Sequence, residues 1–537
     1  MKNRRDIMFK QIRPIAFWPA FILLVSALAL NWVFPDIFIN NVTVASDWML
    51  KNFGWAFSLT GFLVIIAVIS MYFSKLGEIK IGGSDAKPLM SNFNWFAITL
   101  CTTLAAGIVF WGTAEPIYHL AYPPETLGIQ PLSPEAAKFA METMFLHWTF
   151  TPYAIYALPT VLFAISFYNL KKPFSIGSQI SPITEKIESD KFYQIIDAVC
   201  LFCLSAGAAA AFGTSTLNIG GALNSITGIQ STPGLWLLIS ITLASVFIFS
   251  ACTGVMKGIK ILSSLNMKVY YLIVIFVFFV GPTAYCLNLG TEAFGGYLSG
   301  FFSKNLYTGG AANEMWPKSW TMFYWAVWMA WAPVTACFLG RISYGRTVRE
   351  ILNVNFIFPS IFGALWMVIF SGTAINYQLT GKVNLVKILN EIGPEAVGYA
   401  ILREMPFSNI IIPFFFVIVV ITAITAFDST TNAMSALSIK NISIENQEAP
   451  TSSKVVWGII VSAIAFIMIS KTGINGIKTL SNLGGFPAIV IEFLACTCVF
   501  KMIKNPKKYE YQEKVTQQSF QEERVDEVSK SSEVYQS

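Results

Sequence analysis

The sequence has few charged residues, and this scarcity decides its broad class. Only 12% of the 537 residues are charged, whereas 55% are hydrophobic. Soluble domains average roughly 25% charged residues, and the mean hydropathy of this chain is +0.59. The composition therefore excludes an ordinary soluble protein and predicts an integral membrane protein.

Motifs for cofactors and metals are also lacking. The chain has eight cysteines, but they show no paired metal-ligand spacing, and most lie inside apolar runs where cysteine acts as a small core residue. Nucleotide and nucleophile motifs are missing too. We therefore predict no disulfide, no metal and no cofactor. The net charge of +6 is explained by an anionic membrane surface, so we expect no nucleic-acid partner.

Apolar runs recur along almost the whole chain. Crossing a hydrocarbon core of about 30 Å takes about 20 residues, and twelve runs meet that length, which predicts an all-α protein with twelve transmembrane helices. The first run lacks a small-residue cleavage site, so we interpret it as an anchor. The runs lie near residues 15–34, 53–73, 93–116, 140–169, 192–219, 234–255, 262–289, 318–340, 351–373, 407–437, 455–471 and 478–501.

Lysine and arginine collect in alternate connections, which sets the expected orientation. Both termini, residues 1–14 and 504–537, are predicted to be cytoplasmic, and the tail is expected to be solvated. The basic residues on this side are Lys75, Lys80, Lys87, Lys171, Lys172, Lys257, Lys260, Arg341, Arg346, Arg349, Lys440 and Lys454.

Ten spans follow two leading spans at 15–73, and they divide into 93–290 and 318–503. Because each half holds an odd number of spans, the second half must run inverted relative to the first, as in many secondary transporters. An amphipathic outer connection is expected at 291–317, and a helical lid over the outer mouth at 383–406.

Aromatic residues gather in the middle of two spans. Residues 319–333, "SWTMFYWAVWMAWAP", place Trp325, Trp328 and Trp331 at i, i+3 and i+6, so we expect their rings to share one broad face of a helix. The fourth span, "FLHWTFTPYAIYAL", presents Trp148, Tyr153 and Tyr156 around Pro152, which we expect to kink the helix. Aromatic residues in membrane proteins usually form interface belts. Two mid-span clusters on separate helices could instead enclose a quaternary ammonium group.

The third span contains a membrane-depth acid, Glu115, near Gly107, Gly112 and Pro116. Two interpretations remain open: a broken helix that turns backbone groups towards a ligand, or a helix that ends near Pro116 with Glu115 at the outer interface. His147 is interpreted as a hydrogen-bonded structural residue.

Three segments resemble the betaine/carnitine/choline transporter family. They are "WTMFYWAVWMAWAPVTACFLGRISYGRTVREIL" at 320–352, "FWGTAEPIYH" at 110–119 and "HWTFTPYAIYALP" at 147–159. The resemblance covers essentially all twelve spans. It implies a leucine-transporter-type fold with two extra leading helices, a multi-pass protein of the bacterial inner membrane, and a homotrimer.

The resemblance also implies roles for individual residues. Trp148, Tyr153 and Tyr156 match positions that line the ammonium cage from one side, and Trp328 matches the key tryptophan on the other. By the same resemblance, Trp325 and Trp331 flank the route through the protein, and Tyr118 closes the cage.

The sequence departs from the family where coupling ions bind. The third span has "TLAAG" at 103–107 in place of alternating glycines, and an aspartate that marks some choline transporters is missing, which argues against choline. Sodium needs oxygen ligands, yet Leu204, Ala208 and Ala426 stand where hydroxyls would be expected. The remaining candidates for the coupling ion or its substitute are Thr425, Ser429, Asp428 and Lys268. Lys268 has two open interpretations, a substitute cation or a snorkelling surface lysine.

These observations predict a secondary transporter of glycine betaine or a related quaternary ammonium solute that works by alternating access. Sodium, a proton or a counter-substrate could drive it, and membrane lipid surrounds it. The alternatives are a sodium-independent carnitine/betaine antiporter, a membrane-embedded enzyme with His147 and Glu115 as acid and base, and a cation channel, for which an aromatic midplane is a poor lining.

Overall fold

The computed structural model describes residues 11–253, 256–440, 442 and 448–511, and within these residues the chain is helical and has no strand. Most of the 1–14 segment and most of the 504–537 tail therefore lie outside the described residues. The side chains of Lys257 and Lys260 lie outside them as well.

Sixteen helices carry the architecture, and we number them in chain order. They are α1 Pro14–Val33, α2 Pro35–Phe73, α3 Asn92–Ala121, α4 Pro134–Trp148, α5 Phe150–Ala164, α6 Asp190–Thr227, α7 Pro233–Cys252, α8 Met256–Val280, α9 Thr283–Ser299, α10 Phe323–Val334, α11 Phe358–Leu379, α12 Leu385–Glu391, α13 Pro394–Arg403, α14 Ser408–Ser438, α15 Thr451–Thr472 and α16 Ile474–Lys504.

Shorter helical pieces join or extend these helices. Four short π-helical segments, in which hydrogen bonds reach one residue further than in an α-helix, lie in the fourth, eighth and ninth apolar runs. They occupy Ile165–Asn169, Lys318–Met322, Thr335–Leu339 and Asn353–Ile357. Tight single turns occupy Lys75–Glu78, Glu125–Leu127, Ile176–Ile180 and Pro506–Tyr509, and short α-helical turns occupy Ser181–Thr184, Phe301–Asn305, Gly340–Ile342 and Val348–Leu352.

The helices match the predicted membrane spans in class and number. Among the described residues, ten helical segments are long and apolar enough to cross a membrane, and the number is twelve when each of two bent pairs counts as one span. The all-α prediction with twelve spans is therefore confirmed. Two boundaries differ most. The helix of the second span begins at Pro35 rather than near 53, and the seventh span ends at Val280 rather than near 289, because Gly281 and Pro282 interrupt the helix before α9 begins.

The two bent spans are the third and the eighth. In α3 the halves Asn92–Thr103 and Gly107–Ala121 meet at 51°, and in the eighth span Lys318–Pro333 and Thr335–Ile342 meet at 40°. The helix α3 continues past Pro116 to Ala121, so the interpretation that it ends near Pro116 is wrong.

Pro116 is accommodated inside α3 by a neighbouring hydroxyl. A proline lacks the N–H that would bond to the carbonyl four residues earlier, which here belongs to Gly112. The Ser371 hydroxyl of α11 donates to that carbonyl at 2.7 Å. The backbone group that proline leaves unpaired is thus satisfied within the protein, as a membrane interior requires.

The fourth span breaks at Thr149 rather than kinking at Pro152. Thr149 has φ −124° and ψ −115°, a non-helical conformation, and α5 starts at the next residue. Pro152 therefore lies in the first turn of α5, where a missing N–H costs little. Gly363 of α11 approaches this break closely, because a Cβ on it would lie 2.3 Å from the Trp148 carbonyl oxygen.

Small residues bring α16 and α6 into close contact with α10. A Cβ on Gly485 would lie 2.4 Å from the Ala326 backbone, and one on Gly207 would lie 3.0 Å from the Ala330 side chain. Small residues at helix contacts let backbones approach, which drives helix association in lipid through van der Waals packing. This packing fixes the position of the tryptophans on α10.

One end of the helix bundle, which we call the lid face, carries α12, α13 and the connection 281–317. The expected lid at 383–406 is helical, and α13 packs on α3 and α6. The Tyr399 hydroxyl donates to Asn218 Oδ1 at 2.8 Å, and Arg403 donates to the Ser225 carbonyl at 2.9 Å. Burial raises the pKa of Glu395, on α13, to about 7.

Candidate functional site

Four aromatic rings from the fourth and eighth spans meet in the protein interior. The Trp328 ring centroid lies 5.6 Å from that of Trp148, 5.7 Å from that of Tyr153 and 4.9 Å from that of Tyr156. The interplanar angles are 61° to 79°, so the rings meet edge to face. We call Trp148, Tyr153, Tyr156 and Trp328 the ring cluster.

Three members of the ring cluster, Trp148, Tyr156 and Trp328, line a cavity between the two bent spans, whereas Tyr153 lies outside its lining. Gly107, next to the bend in α3, leaves room for Trp148, since a Cβ on it would lie 3.2 Å from that ring. Other small residues widen the space on the α6 side. The lining residues are Thr103, Gly107, Trp111, Trp148, Tyr156, Gly207, Ala210, Ala211, Thr214, Phe323, Tyr324, Val327, Trp328, Trp331, Ile477 and Ser481.

The remaining aromatic candidates occupy three different places. Trp331 lines the cavity. Trp325 is fully buried outside it, 6.0 Å from the His147 ring and in contact with Gly61 of α2. Tyr118 lies on the lid-face side of the cavity, with its ring 5.1 Å from that of Trp320.

Glu115 is fully buried and accepts hydrogen bonds from four side chains. Its Oε2 accepts from the Trp148 indole N–H at 2.8 Å and from the Tyr324 hydroxyl. Its Oε1 contacts His147 Nδ1 at 2.6 Å and His119 Nε2 at 3.1 Å. We call these five residues the Glu115 cluster. Since an ionised carboxylate only accepts, all four partners act as donors.

The Glu115 cluster fixes the orientation of Trp148. If His147 Nδ1 donates to Glu115, then Nε2 accepts from the Thr321 hydroxyl, 3.0 Å away, and a neutral imidazole satisfies both contacts. Thr321 precedes α10, so the cluster ties the third, fourth and eighth spans together. Sequence reasoning missed His119, Thr321 and Tyr324, although the i, i+4 spacing in "EPIYH" was a signal for His119.

The Glu115 cluster fits hydrogen bonding better than a metal ion. The ligand atoms of Glu115, His119 and His147 lie within 4.8 Å of one another. Tetrahedral zinc, bonded at about 2.0 to 2.1 Å, would hold neighbouring ligand atoms about 3.3 Å apart. The His147 Nδ1 to Glu115 Oε1 separation of 2.6 Å is a direct hydrogen bond and leaves no space for an ion between them.

The candidates for a coupling ion are not brought together at one point. The Thr425 hydroxyl donates to the backbone carbonyls of Ile421 and Thr422, both at 3.0 Å, and the Ser429 hydroxyl donates to the Thr425 carbonyl at 3.0 Å. These are internal bonds of α14 and direct no hydroxyl at an ion.

Asp428 lies on α14 between Thr425 and Ser429, but its carboxylate contacts α7, and Lys268 lies on a different helix, α8. Asp428 is buried and accepts from the Asn432 side chain at 2.7 Å and from the Ser250 hydroxyl of α7. Lys268 is exposed on α8, whereas Asn266 and Tyr270 of that helix face inward and contact Thr422.

The described residues form up to twelve spans, two of them bent, with an aromatic cavity between the bent spans, and this is the architecture of a secondary transporter. The sequence profile of BCCT, the betaine/carnitine/choline family transporter, matches residues 14–508. The chain belongs to this family and is a multi-pass membrane transporter, so the membrane-embedded enzyme is excluded.

Curated relatives match most of the chain. A glycine betaine transporter, OpuD, of Bacillus subtilis is 29% identical over 93% of this chain and 96% of its own length. An ectoine/hydroxyectoine transporter of Virgibacillus pantothenticus is 28% identical over 86% of this chain and 91% of its own. An ectoine/glycine betaine/proline transporter, EctP, of Corynebacterium glutamicum is 30% identical over 86% and 74%.

Proposed function

We propose that this transporter moves a small zwitterionic betaine, glycine betaine or a related betaine, across the bacterial plasma membrane. The observation that carries the proposal is the ring cluster, with Trp148, Tyr153 and Tyr156 within 5.7 Å of Trp328. Aromatic faces attract a permanent cation that cannot donate hydrogen bonds, at about 0.5 to 2 kcal/mol per ring. The names of the bacterial relatives, which transport glycine betaine or ectoine, support this solute class.

The charge distribution around the cavity supports a quaternary ammonium group over an ordinary amine. Among the described residues that line it, none is charged. The nearby acid, Glu115, already accepts four hydrogen bonds. A primary amine or sodium would need free oxygens, whereas a trimethylammonium group needs ring faces.

Alternating access is the mechanism that fits this architecture. The bent spans are the third and the eighth, the first members of the two proposed five-helix repeats at 93–290 and 318–503. In inverted-repeat transporters the substrate lies where such discontinuous helices meet, and one bundle rocks against the rest. The basic face opposite the lid face is proposed to be cytoplasmic, and the homotrimer implied by the resemblance stays a prediction.

Exchange without sodium is a second candidate mode. Leu204 and Ala208 on α6 are fully buried, Ala426 is nearly so, and none of the three has a side-chain oxygen. Thr425 has a hydroxyl, but this hydroxyl donates to backbone carbonyls of its own helix. These observations favour a carnitine/betaine antiporter over a sodium symporter.

The test is uptake of labelled glycine betaine into proteoliposomes, with carnitine, ectoine and choline as competitors. We expect Trp328→Leu to lower the affinity for glycine betaine by about tenfold, since one ring face is lost. Trp32→Leu is the matched control, because Trp32 is 86% exposed on α1. Equal affinity in the two variants would remove the ring cluster from the binding site.

The same vesicles distinguish the modes of coupling. Exchange predicts uptake that is indifferent to a sodium gradient and is accelerated by unlabelled betaine inside. Uptake that collapses without sodium would overturn the exchange candidate and would show that an ion binds without the hydroxyls expected at 204, 208 and 426.

A further inference from the structure

A lysine lies near the lid face beside the cavity, and no acid pairs with it. Lys478 belongs to the first turns of α16 and is half-buried. Among the described residues, no carboxylate oxygen lies within 4.0 Å of its Nζ. It couples electrostatically to Glu115, but that carboxylate is already saturated with donors. Charged residues in membrane spans are costly and usually mark a substrate or ion pathway.

The ammonium group of Lys478 is held against aromatic rings. Its Nζ lies 3.9 Å from the Trp320 ring centroid and 5.3 Å from that of Phe323. It donates one hydrogen bond, to the Ser319 carbonyl at 3.3 Å. An ammonium group has three N–H donors. With one of them committed to a described acceptor, two remain to meet an anionic ligand.

Lys478 lies one layer of rings away from the cavity. Its neighbours on α16, Ile477 and Ser481, line the cavity, as does Phe323. On the other side, the Trp320 ring lies 5.9 Å from that of Trp111, which also lines the cavity. Because α16 begins at Ile474, next to the lid face, Lys478 lies on the lid-face side of Ser481, which lines the cavity.

We propose that Lys478 recognises the carboxylate of the zwitterionic solute and so determines the preference for betaines over cationic analogues. This inference rests on the proposed function: the carboxylate meets Lys478 on the lid-face side of the ring layer, and the trimethylammonium end is held by the ring cluster once the solute has moved into the cavity. A carboxylate meets a positive charge and free N–H donors at Lys478, whereas choline carries no negative group and is repelled. A charge-assisted hydrogen bond changes affinity by about tenfold to a hundredfold.

The test compares two solutes that share the trimethylammonium head. Binding of glycine betaine and of choline to the purified full chain is measured for the unmodified protein, for Lys478→Met and for Lys478→Arg. We expect Lys478→Met to weaken betaine binding by about tenfold or more, while choline binding stays the same or improves. Lys478→Arg keeps the charge and is expected to restore the preference for betaine.

A matched control separates recognition from a general loss of charge. Lys471, at the end of α15 on the same face, is half exposed and only approaches Asp36, at 3.9 Å, so Lys471→Met is expected to leave both affinities unchanged. If Lys478→Met weakens betaine and choline equally, Lys478 only supports Trp320 and the inference is overturned. If the unmodified chain binds neither solute, the proposed function itself fails.

Discussion

The polar groups around the ring cluster and those around Thr425 of α14 differ in where their hydrogen bonds go. Around the ring cluster, side chains from three spans converge, and the Trp148 and Tyr324 donors meet one acceptor, Glu115. Around Thr425, the hydroxyls bond to carbonyls of their own helix. The first region is organised around a shared centre, and the second has none among the described residues.

This difference shows what each region offers to a ligand. A site for a methylated cation needs rings in fixed positions, and the Glu115 cluster supplies the fixing. A site for sodium needs converging oxygens, and Leu204 and Ala208 supply none. The two regions nevertheless share α6, because Gly207 and Ala210 line the cavity while Leu204 and Ala208 of the same helix stand where the resemblance implies hydroxyls.

The largest expected effect comes from removing the centre of the organised region. In Glu115→Gln the amide nitrogen would face N–H and O–H donors, which leaves buried groups unpaired. Each hydrogen bond to a charged group is worth about 1.5 to 3 kcal/mol, so we expect a loss of betaine uptake of at least about a hundredfold and a lower melting temperature. Vesicle uptake and thermal unfolding of the purified protein measure the two effects.

The control for this variant is an exposed glutamate on the lid face, Glu292. Glu292 has a side chain 64% exposed that pairs with Lys138 at 3.1 Å, and exposed pairs contribute about 0 to 1 kcal/mol. Glu292→Gln should therefore behave as the unmodified chain does. Normal uptake by Glu115→Gln would mean that Trp148 is positioned without its acceptor, and the contrast between the two regions would disappear.

A smaller effect is expected from crowding the break in the fourth span. Gly363→Ala would place a methyl group 2.3 Å from the Trp148 carbonyl oxygen. Overpacking costs about 1 to 3 kcal/mol, and here it would push Trp148 away from Trp328. We expect the dissociation constant for glycine betaine to rise by about tenfold.

The glycine control is Gly295→Ala on α9, where a Cβ would meet nothing within 4 Å. Its binding constant and melting temperature should equal those of the unmodified protein. If Gly363→Ala binds betaine normally, the break at Thr149 tolerates displacement, and the rings are less precisely held than the Glu115 cluster suggests.

The sequence predicted the spans and the two aromatic clusters because apolar length and helical spacing are local properties. It did not predict the Glu115 cluster, since Tyr324 lies far along the chain from Glu115 and the contact depends on how α3 packs against α10. The local spacing of Trp325, Trp328 and Trp331 also overstated their common face. Residues six apart on a helix are rotated by about 120°, and of these three only Trp328 and Trp331 line the cavity.

The break in the fourth span illustrates a second limit of sequence reasoning. A proline indicates an irregular helix, but the position of the irregularity depends on which neighbours satisfy the freed carbonyls. Pro116 stays inside α3 because Ser371 supplies a donor. Pro152 instead begins a new helix after Thr149.

The smallest expected effect concerns the lid, whose helix α13 packs on α3 and α6. The folded-state pKa of Glu395 lies near 7, above the usual value of about 4.3, so its contribution to lid stability is present below about pH 4 and is lost as the pH rises through 7. The Glu395 carboxyl interacts electrostatically with Tyr118 of α3. Hydrogen exchange of α13 should therefore accelerate between pH 5 and pH 8 beyond the intrinsic rate.

Glu395→Gln stays neutral and should abolish that acceleration, whereas Glu391→Gln, a more exposed change on α12, should keep it. If Glu395→Gln keeps the pH dependence, ionisation of Glu395 does not loosen the lid, and the hydrogen bonds of Tyr399 and Arg403 alone hold it.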